Sequence, residues 1–400
     1  MSQTGTSQTF TMQASTWGPL ATTSVAHATE HLYVGIITVV LPVVATALGL
    51  NMAQAGLLVS ARYLVAGLSN IPSGILADTM GKRSLFLGLS LILLGLSSLL
   101  MSLAPNFWIL LVFMAFGGIG AGCFHPQSLA ILSASYRDRR ALAIGIHDSS
   151  GSLGEVLAPL TIGSLLTYVS WRSTLQIWAI PGLAIGLLYP FFCAEVNSST
   201  LSRGKLSHLL RDHILTNRAI LRMFFISVFR TLGQAGLLVF LPLYLALDLK
   251  LPVGKVGIYM STLFLFAALA PSLSGWVSDR VGRMPMLSIG LALSAIAIAV
   301  IPYLSPGVPL GIGLGVVGTV LWALRPVIFA ASMEMAPPEM AGTLVGFLFT
   351  GNMGLSFLSP IIAGVIADTY GLAVALAFIG IFPLLACVVT LGPLMAGRAR

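Results

Sequence analysis

The stretch His27-Ala28-Thr29-Glu30-His31 places three side chains that bind metals or move protons within five residues. The pattern H-x-x-E-H is one in which two histidines hold a zinc ion and the glutamate activates a water. On a helix the three fall at i, i+3 and i+4, which is a single face. Hydrolysis would also require a third ligand, a bound water and a cleft that admits a peptide. The chain offers more groups of the same kind in His125, His147, Asp148 and Glu155, and isolated arginines at Arg62, Arg230 and Arg325. What these groups do depends on the solvent around them.

That solvent is lipid. Of 400 residues 57% are hydrophobic and only 8% charged, and the mean hydropathy is +0.97. A soluble domain carries about 25% charged residues, so this chain lacks the polar surface to stay in water. A membrane-spanning helix needs about 20 mostly apolar residues. Such runs fall near 20–47, 53–76, 85–103, 107–133, 141–169, 174–194, 219–246, 255–277, 285–303, 308–333, 340–367 and 371–396. They are too long, and with 42 glycines too glycine-rich, for the alternating strands of a barrel. Residues 1–19 hold no charge and hence no basic leader region, so the first run is expected to be retained as a helix. Cys123, Cys193 and Cys387 lie in separate runs and read as packing residues.

Lysine and arginine fix the expected orientation. One set of loops and the C-terminus hold Lys82, Arg83, Arg137, Arg139, Arg140, Arg203, Lys205, Arg211, Arg218, Arg222, Arg280, Arg283, Arg398 and Arg400, whereas the opposite loops hold Arg172, Lys250 and Lys255. Both termini are therefore expected in the cytoplasm, with the chain in the inner membrane. The net charge of +8 is a topology signal and does not point to nucleic acid.

Residues 195–218 form the longest polar stretch, a cytoplasmic linker with leucines spaced for a short surface helix and two solvated histidines, His208 and His213. It separates two halves, 20–194 and 219–397, behind a tail at 1–19. The halves repeat at an offset of 200–201 residues: "SGILADTMGK" at 73–82 returns as "SGWVSDRVGR" at 274–283, "LP" at 41 returns at 241, "FHP" at 124 as "LRP" at 324, and Pro159 as Pro360. A whole-length repeat predicts an all-α membrane protein of twelve transmembrane helices in two pseudo-symmetric six-helix bundles. Duplicated transporters place the substrate site near the midplane between the halves.

The stretch "GILADTMGKR" and its copy "GWVSDRVGR" resemble motif A of the major facilitator superfamily, between helices 2 and 3 and again between 8 and 9. The resemblance implies that Asp78, Gly81, Lys82 and Arg83, with Asp279, Arg280, Gly282 and Arg283, form gates that lock the outward-open state. The two carboxylates would cap or pair with neighbouring helix ends. Helix 5 is similar to the antiporter motif of the family's exporters through Gly145, Gly154, Ala158, Pro159 and Gly163, with Ile162 replacing one glycine; this implies close helix packing and export. The helix 4 arginine of the drug exporters is replaced by Met114, so proton coupling must use other groups. Within the superfamily, "AH" at 26–27, "FHP" at 124–126 and "SSGSLGEVLAP" at 149–159 resemble the fosmidomycin-resistance-type exporters, although Glu30 and His31 occupy the turn where those carry a different acidic group.

A charge at the bilayer centre costs at least about 2.5 kcal/mol on insertion scales, so each buried ionisable group is a functional candidate. The four membrane histidines and the deep carboxylates belong to the first half, while the second half holds Arg230 and Arg325. The offset places Glu30 where the copy has Arg230, and His125 where it has Arg325. Arg230, Arg325, Arg62 and His125 are the expected substrate-binding groups, because forked guanidinium groups suit carboxylate, phosphate or phosphonate. Salt bridges would serve the arginines equally: Glu30 with Arg230 across the halves, or Arg62 with Glu30 or Asp148. Glu30, Asp148, His27, His31 and His147 are the expected proton-coupling groups. Asp148, Ser152 and Glu155 share one face of helix 5, and Glu155 reads equally as a packing residue. The chain is thus expected to be a monomeric secondary transporter without cofactor, working by alternating access as a proton-coupled exporter of a small organic anion or amphiphile, and not an enzyme. The alternative is transport of a divalent transition ion or its chelate through His27, Glu30, His31, His125, His147 and Asp148.

Overall fold

A computed structural model of the chain describes residues 17–136, 139–193, 195, 216–335 and 341–396. Most of the polar tail and of the central linker, including His208 and His213, lies outside the described residues, as do Arg137, Arg203, Lys205, Arg211, Arg398 and Arg400.

Among the described residues all regular structure is helical. Twelve long helices cross the molecule: α1 Gly18–Leu48, α2 Met52–Met80, α3 Arg83–Ser102, α4 Phe107–Ser135, α5 Arg140–Leu165, α6 Trp171–Phe192, α7 Arg218–Asp248, α8 Val253–Val281, α9 Arg283–Tyr303, α10 Val308–Met333, α11 Ala341–Leu355 with Leu358–Tyr370, and α12 Leu372–Ile379 with Ile381–Ala396. Ten are long and apolar enough to cross a membrane; α2 and α5 fall short because they carry Arg62, Asn70 and Asp78, and His147, Asp148 and Glu155. Local chemistry sets the ends. Asn51 and Gln54 form a reciprocal capping box at the start of α2, and the side chains of Asn106, Ser170 and Asn217 cap α4, α6 and α7. Gly81 at φ 64° ends α2 in the left-handed conformation that glycine adopts without strain.

Packing repeats as the sequence does. Helix α2 lies along α4 as α8 lies along α10, α3 along α6 as α9 along α12, and α1 along α5 as α7 along α11. The halves join through α5 with α8 and α2 with α11. Small residues permit these approaches. A Cβ on Gly163 would stand 3.1 Å from the Cα of Gly257, and one on Gly257 would run into the Pro159 carbonyl oxygen. Gly154 meets the Ala28 carbonyl of α1 in the same way, but Gly145, expected from its motif to pack, faces no atom within 4 Å.

The end of the molecule away from the chain termini is closed. Val39, Val40 and Leu41 of α1 share one buried cluster with Phe240, Leu243 and Leu245 of α7. Nearer the termini, the Gly18–Gly35 stretch of α1 makes no extended contact with α7, and α4 makes none with α10. The halves therefore part on the side of the chain ends. Gly257→Val should oppose far-end closure: overpacking costs about 1–3 kcal/mol, a roughly 5- to 150-fold shift toward the state open at that end. Faster labelling of a Thr46→Cys variant by an impermeant thiol reagent would show it, and unchanged labelling would remove Gly257 from the closing contact.

Candidate functional site

The ionisable midplane groups come from six helices, α1, α2, α4, α5, α7 and α10. On α1, His27 and Glu30 are each only 4% exposed. His27 reaches α5: its Nδ1 lies 2.7 Å from the His147 carbonyl oxygen, and its ring stacks on that of His147 at 3.9 Å and on Phe124 of α4 at 5.6 Å. The stacking needs Gly151, where a Cβ would stand 2.5 Å from the His27 ring. His31, one helical turn on, spans two carboxylates, with Nδ1 3.1 Å from Glu155 Oε1 and Nε2 3.5 Å from Glu30 Oε2. Glu155 is therefore a partner of His31 and not a bystander in helix packing. His125 of α4 closes the group, its ring 5.6 Å from His27 and 6.2 Å from His31. Arg62 is buried behind Glu30, interacts with it electrostatically, and donates from Nη1 to the Tyr33 carbonyl at 3.3 Å.

The facing wall is the arginine pair. Arg230 is 3% exposed; its Nε donates to the Leu321 carbonyl at 2.9 Å, and its Nη2 has no hydrogen-bond partner among the described residues. The expected bridge from Glu30 to Arg230 is not formed. Among the described residues neither Arg230 nor Arg325 has a carboxylate within ion-pair distance. Arg325 nevertheless interacts electrostatically with His31, His125 and Asp148, so both walls border one space. Phe349 of α11 lies 6.1 Å from the His125 ring and stacks on Phe329 of α10 at 5.3 Å, adding an apolar strip that the sequence did not single out. Asp148 is exposed. Asn352, also not anticipated, donates to Ser227 at 2.9 Å and leaves its buried Oδ1 without a partner among the described residues.

The gate motifs sit at the end where the halves part. Asp78 and Asp279 occupy the last turns of α2 and α8, and each meets the neighbouring helix end by pairing with its first residue. A carboxylate there opposes the helix dipole, and each is neutralised by the arginine opening the next helix: Asp78 pairs with Arg83, and Asp279 with Arg283 at 2.5 Å, which also holds Glu334 at 3.1 Å. The cap of α3 comes instead from Glu195, which accepts from the backbone of Ser84 at 3.0 Å and Leu85 at 3.2 Å. Lys82 is exposed, and Arg280 lies over the Trp276 ring at 3.7 Å.

Two matches to the family model of the Major Facilitator Superfamily cover residues 23–229 and 223–398. The chain belongs to the major facilitator superfamily. As a member it is a multi-pass membrane transporter of a small molecule and not an enzyme, so the H-x-x-E-H stretch is not a peptidase site. Its fold is that of a bacterial homologue of the human lysosomal transporter Spinster, solved in an inward-facing and unoccupied conformation, with a TM-score of 0.81 at 19% identity over 94% of this chain and 96% of that one. Among curated relatives, the multidrug resistance protein MdtG of Escherichia coli is 24% identical over 80% of this chain and 79% of its own. A probable hexose phosphate transport protein of Chlamydia muridarum is 23% identical over 78% of this chain and 76% of its own.

Proposed function

We propose that this superfamily member is a proton-coupled exporter of a small organic anion, working by alternating access in an inner membrane in which both termini face the cytoplasm. The observation that carries the reading is the pair of arginines in the second half, Arg230 and Arg325, with no carboxylate at ion-pair distance among the described residues and one buried Nη2 unused there. A guanidinium cannot shed its charge to avoid burial, and leaving it unpaired is costly. An anionic cargo supplies the missing partner. The Phe329–Phe349 stack beside them suits an apolar portion, hence an amphiphilic anion. One relative named for multidrug resistance and one for hexose phosphate support outward movement and an anionic cargo respectively.

Asp148, exposed and within electrostatic reach of Arg325, is the proton carrier in this reading. An anion arriving at Arg325 removes the positive charge that favours the Asp148 carboxylate, so anion and proton loading become linked. His27, Glu30, His31 and His147 form the buried polar wall behind it, and the pairs Asp78–Arg83 and Asp279–Arg283 act as gates when the halves close on that side. Asp148→Asn should keep anion binding and lose the proton movement that accompanies it, measured with a pH-sensitive dye on purified protein as the anion is added. Proton movement equal to that of the unaltered protein would remove Asp148 from the coupling.

A further inference from the structure

His27 Nε2, His31 Nε2 and the Glu30 carboxylate converge on the first-half wall. His27 Nδ1 faces a carbonyl oxygen, which only accepts, so Nδ1 carries the hydrogen and Nε2 offers a lone pair. That Nε2 is buried and has no partner among the described residues. His31 Nδ1 faces the Glu155 carboxylate and donates there, while Nε2 faces Glu30 Oε2 at 3.5 Å, a position from which a bound metal ion would displace a proton. A carbonyl or carboxylate behind the ring, fixing the tautomer and aiming the other nitrogen, is the outer support that metal-binding histidines almost always have. Both rings have it. One ligand atom from each of His27, Glu30, His31 and His125 lies within 4.8 Å of the other three. A tetrahedral ion with bonds of about 2.1 Å needs ligand atoms about 3.4 Å apart, so the widest pair has to close by about 1.4 Å, within the reach of side-chain torsions. A proton on His31 Nε2, facing Glu30 at 3.5 Å, would still leave His27 Nε2 without a partner among the described residues.

We propose that His27, Glu30, His31 and His125 bind a divalent transition-metal ion, and that the cargo is a chelate of that ion with an organic anion, gripped at the metal by this tetrad and at the anion by Arg325 and Arg230. The proposal rests on the anion reading of the arginines and narrows it. Three imidazoles and one carboxylate suit zinc, cobalt, nickel or copper rather than calcium or magnesium. Charge balance selects the chelate. Around the space the three guanidinium groups of Arg62, Arg230 and Arg325 equal in number the carboxyl groups of Glu30, Asp148 and Glu155, so with every group ionised the charges cancel. A bare divalent ion would leave two positive charges inside the membrane, and an anion alone would leave negative charge. A divalent ion carried by a dianionic ligand leaves none. Arg325 lies within electrostatic reach of His31 and His125, so one small complex meets both walls.

The test titrates tag-free protein in detergent with cobalt(II), whose d–d absorption becomes intense in a tetrahedral site. The expected result is one equivalent with that intense band, lost in His27→Gln and His31→Gln, and weakened about 10- to 100-fold in affinity in Glu155→Gln, which removes the support of His31 and none of the four ligands. Malonate, a dianion, added to the cobalt-loaded protein should raise cobalt affinity in the unaltered chain and not in Arg325→Ala. Without malonate, a weak octahedral spectrum, or a band kept in both histidine variants, means an adventitious ion only and overturns the metal site. A tetrahedral band indifferent to malonate and to a panel of other dianionic chelators overturns the chelate. Anion binding that is Arg325-dependent but needs no metal overturns this proposal while sparing the anion reading. Loss of the band in a variant counts only where it elutes monodisperse with unchanged helical circular dichroism; Glu155→Gln and the partly exposed His125→Gln give the same readout if the buried variants fail that check.

Discussion

Arg325→Ala is expected to abolish anion-dependent transport while the protein still inserts, folds and elutes as the unaltered chain does. Arg325 is partly exposed on α10 and makes no ion pair among the described residues, so its removal breaks no structural bridge. It also relieves its repulsion with Arg230. The loss falls on the ligand. A hydrogen bond to a charged group contributes about 1.5–3 kcal/mol, so binding should weaken roughly 10- to 150-fold, and transport at concentrations near the dissociation constant should vanish. Arg325→Lys should recover only part of this, because an ammonium keeps the charge but not the planar fork. Uptake by proteoliposomes of both variants, set beside their helical circular dichroism, checks the claim. Transport of every anion at the rate of the unaltered chain in Arg325→Ala would remove the arginine from the site.

The second large effect concerns the far-end closure. Asp368 of α11 accepts from the backbone nitrogens of Met52 at 2.7 Å and Ala53 at 2.9 Å, capping the N-terminus of α2 from the opposite half. Gly364 lets the two helices approach, since a Cβ there would stand 2.8 Å from the Ala53 Cα. These bonds exist only while the far end is shut. Loss of a helix cap costs about 0.5–2 kcal/mol, so Asp368→Ala should shift the equilibrium about 2- to 30-fold toward the state open at the far end. Asp368→Asn, which keeps one acceptor oxygen, should shift it less. Spin labels on Ala47 and Lys255 would report a larger population of long distances in Asp368→Ala than in the unaltered protein. Identical distance distributions would mean that the cap does not hold the closure.

The twelve helices were legible because lipid imposes a simple requirement, an apolar run long enough to cross. Where α2 and α8 end was harder to read. Both run to residues 80 and 281, through their acidic motif, because Gly81 and Gly282, at positive φ, stop the helix only there. The motif aspartates are therefore last-turn residues that pair with the arginine at the neighbouring helix end, one of the two roles the motif implies. The polar groups of the first half were legible as a list, since each is expensive in lipid, but their partnerships were not. Glu155 was as consistent with packing as with His31, and only the crossing of α1 and α5 over Gly151 and Gly154 decides between them. Asp368 and Glu195 escaped notice because each lies at an element boundary where a carboxylate looks solvated. Their partners are backbone nitrogens 316 and 111 residues away at most, a relation that leaves no side-chain signature. Asn352, Phe329 and Phe349 were hidden as ordinary members of apolar helices.

The most direct test of the central claim is thermal unfolding of the purified protein in detergent, with a panel of carboxylates, phosphates and phosphonates, alone and with cobalt(II) or zinc(II). A ligand that binds only the folded state stabilises it by about 2.7 kcal/mol at a hundred times its dissociation constant. The expected result is a higher melting temperature with at least one anion, lost in both Arg230→Ala and Arg325→Ala. Stabilisation by an anion that persists undiminished in both variants, or no stabilisation by any anion with or without metal, would contradict the assignment of the arginine pair as the seat of the cargo.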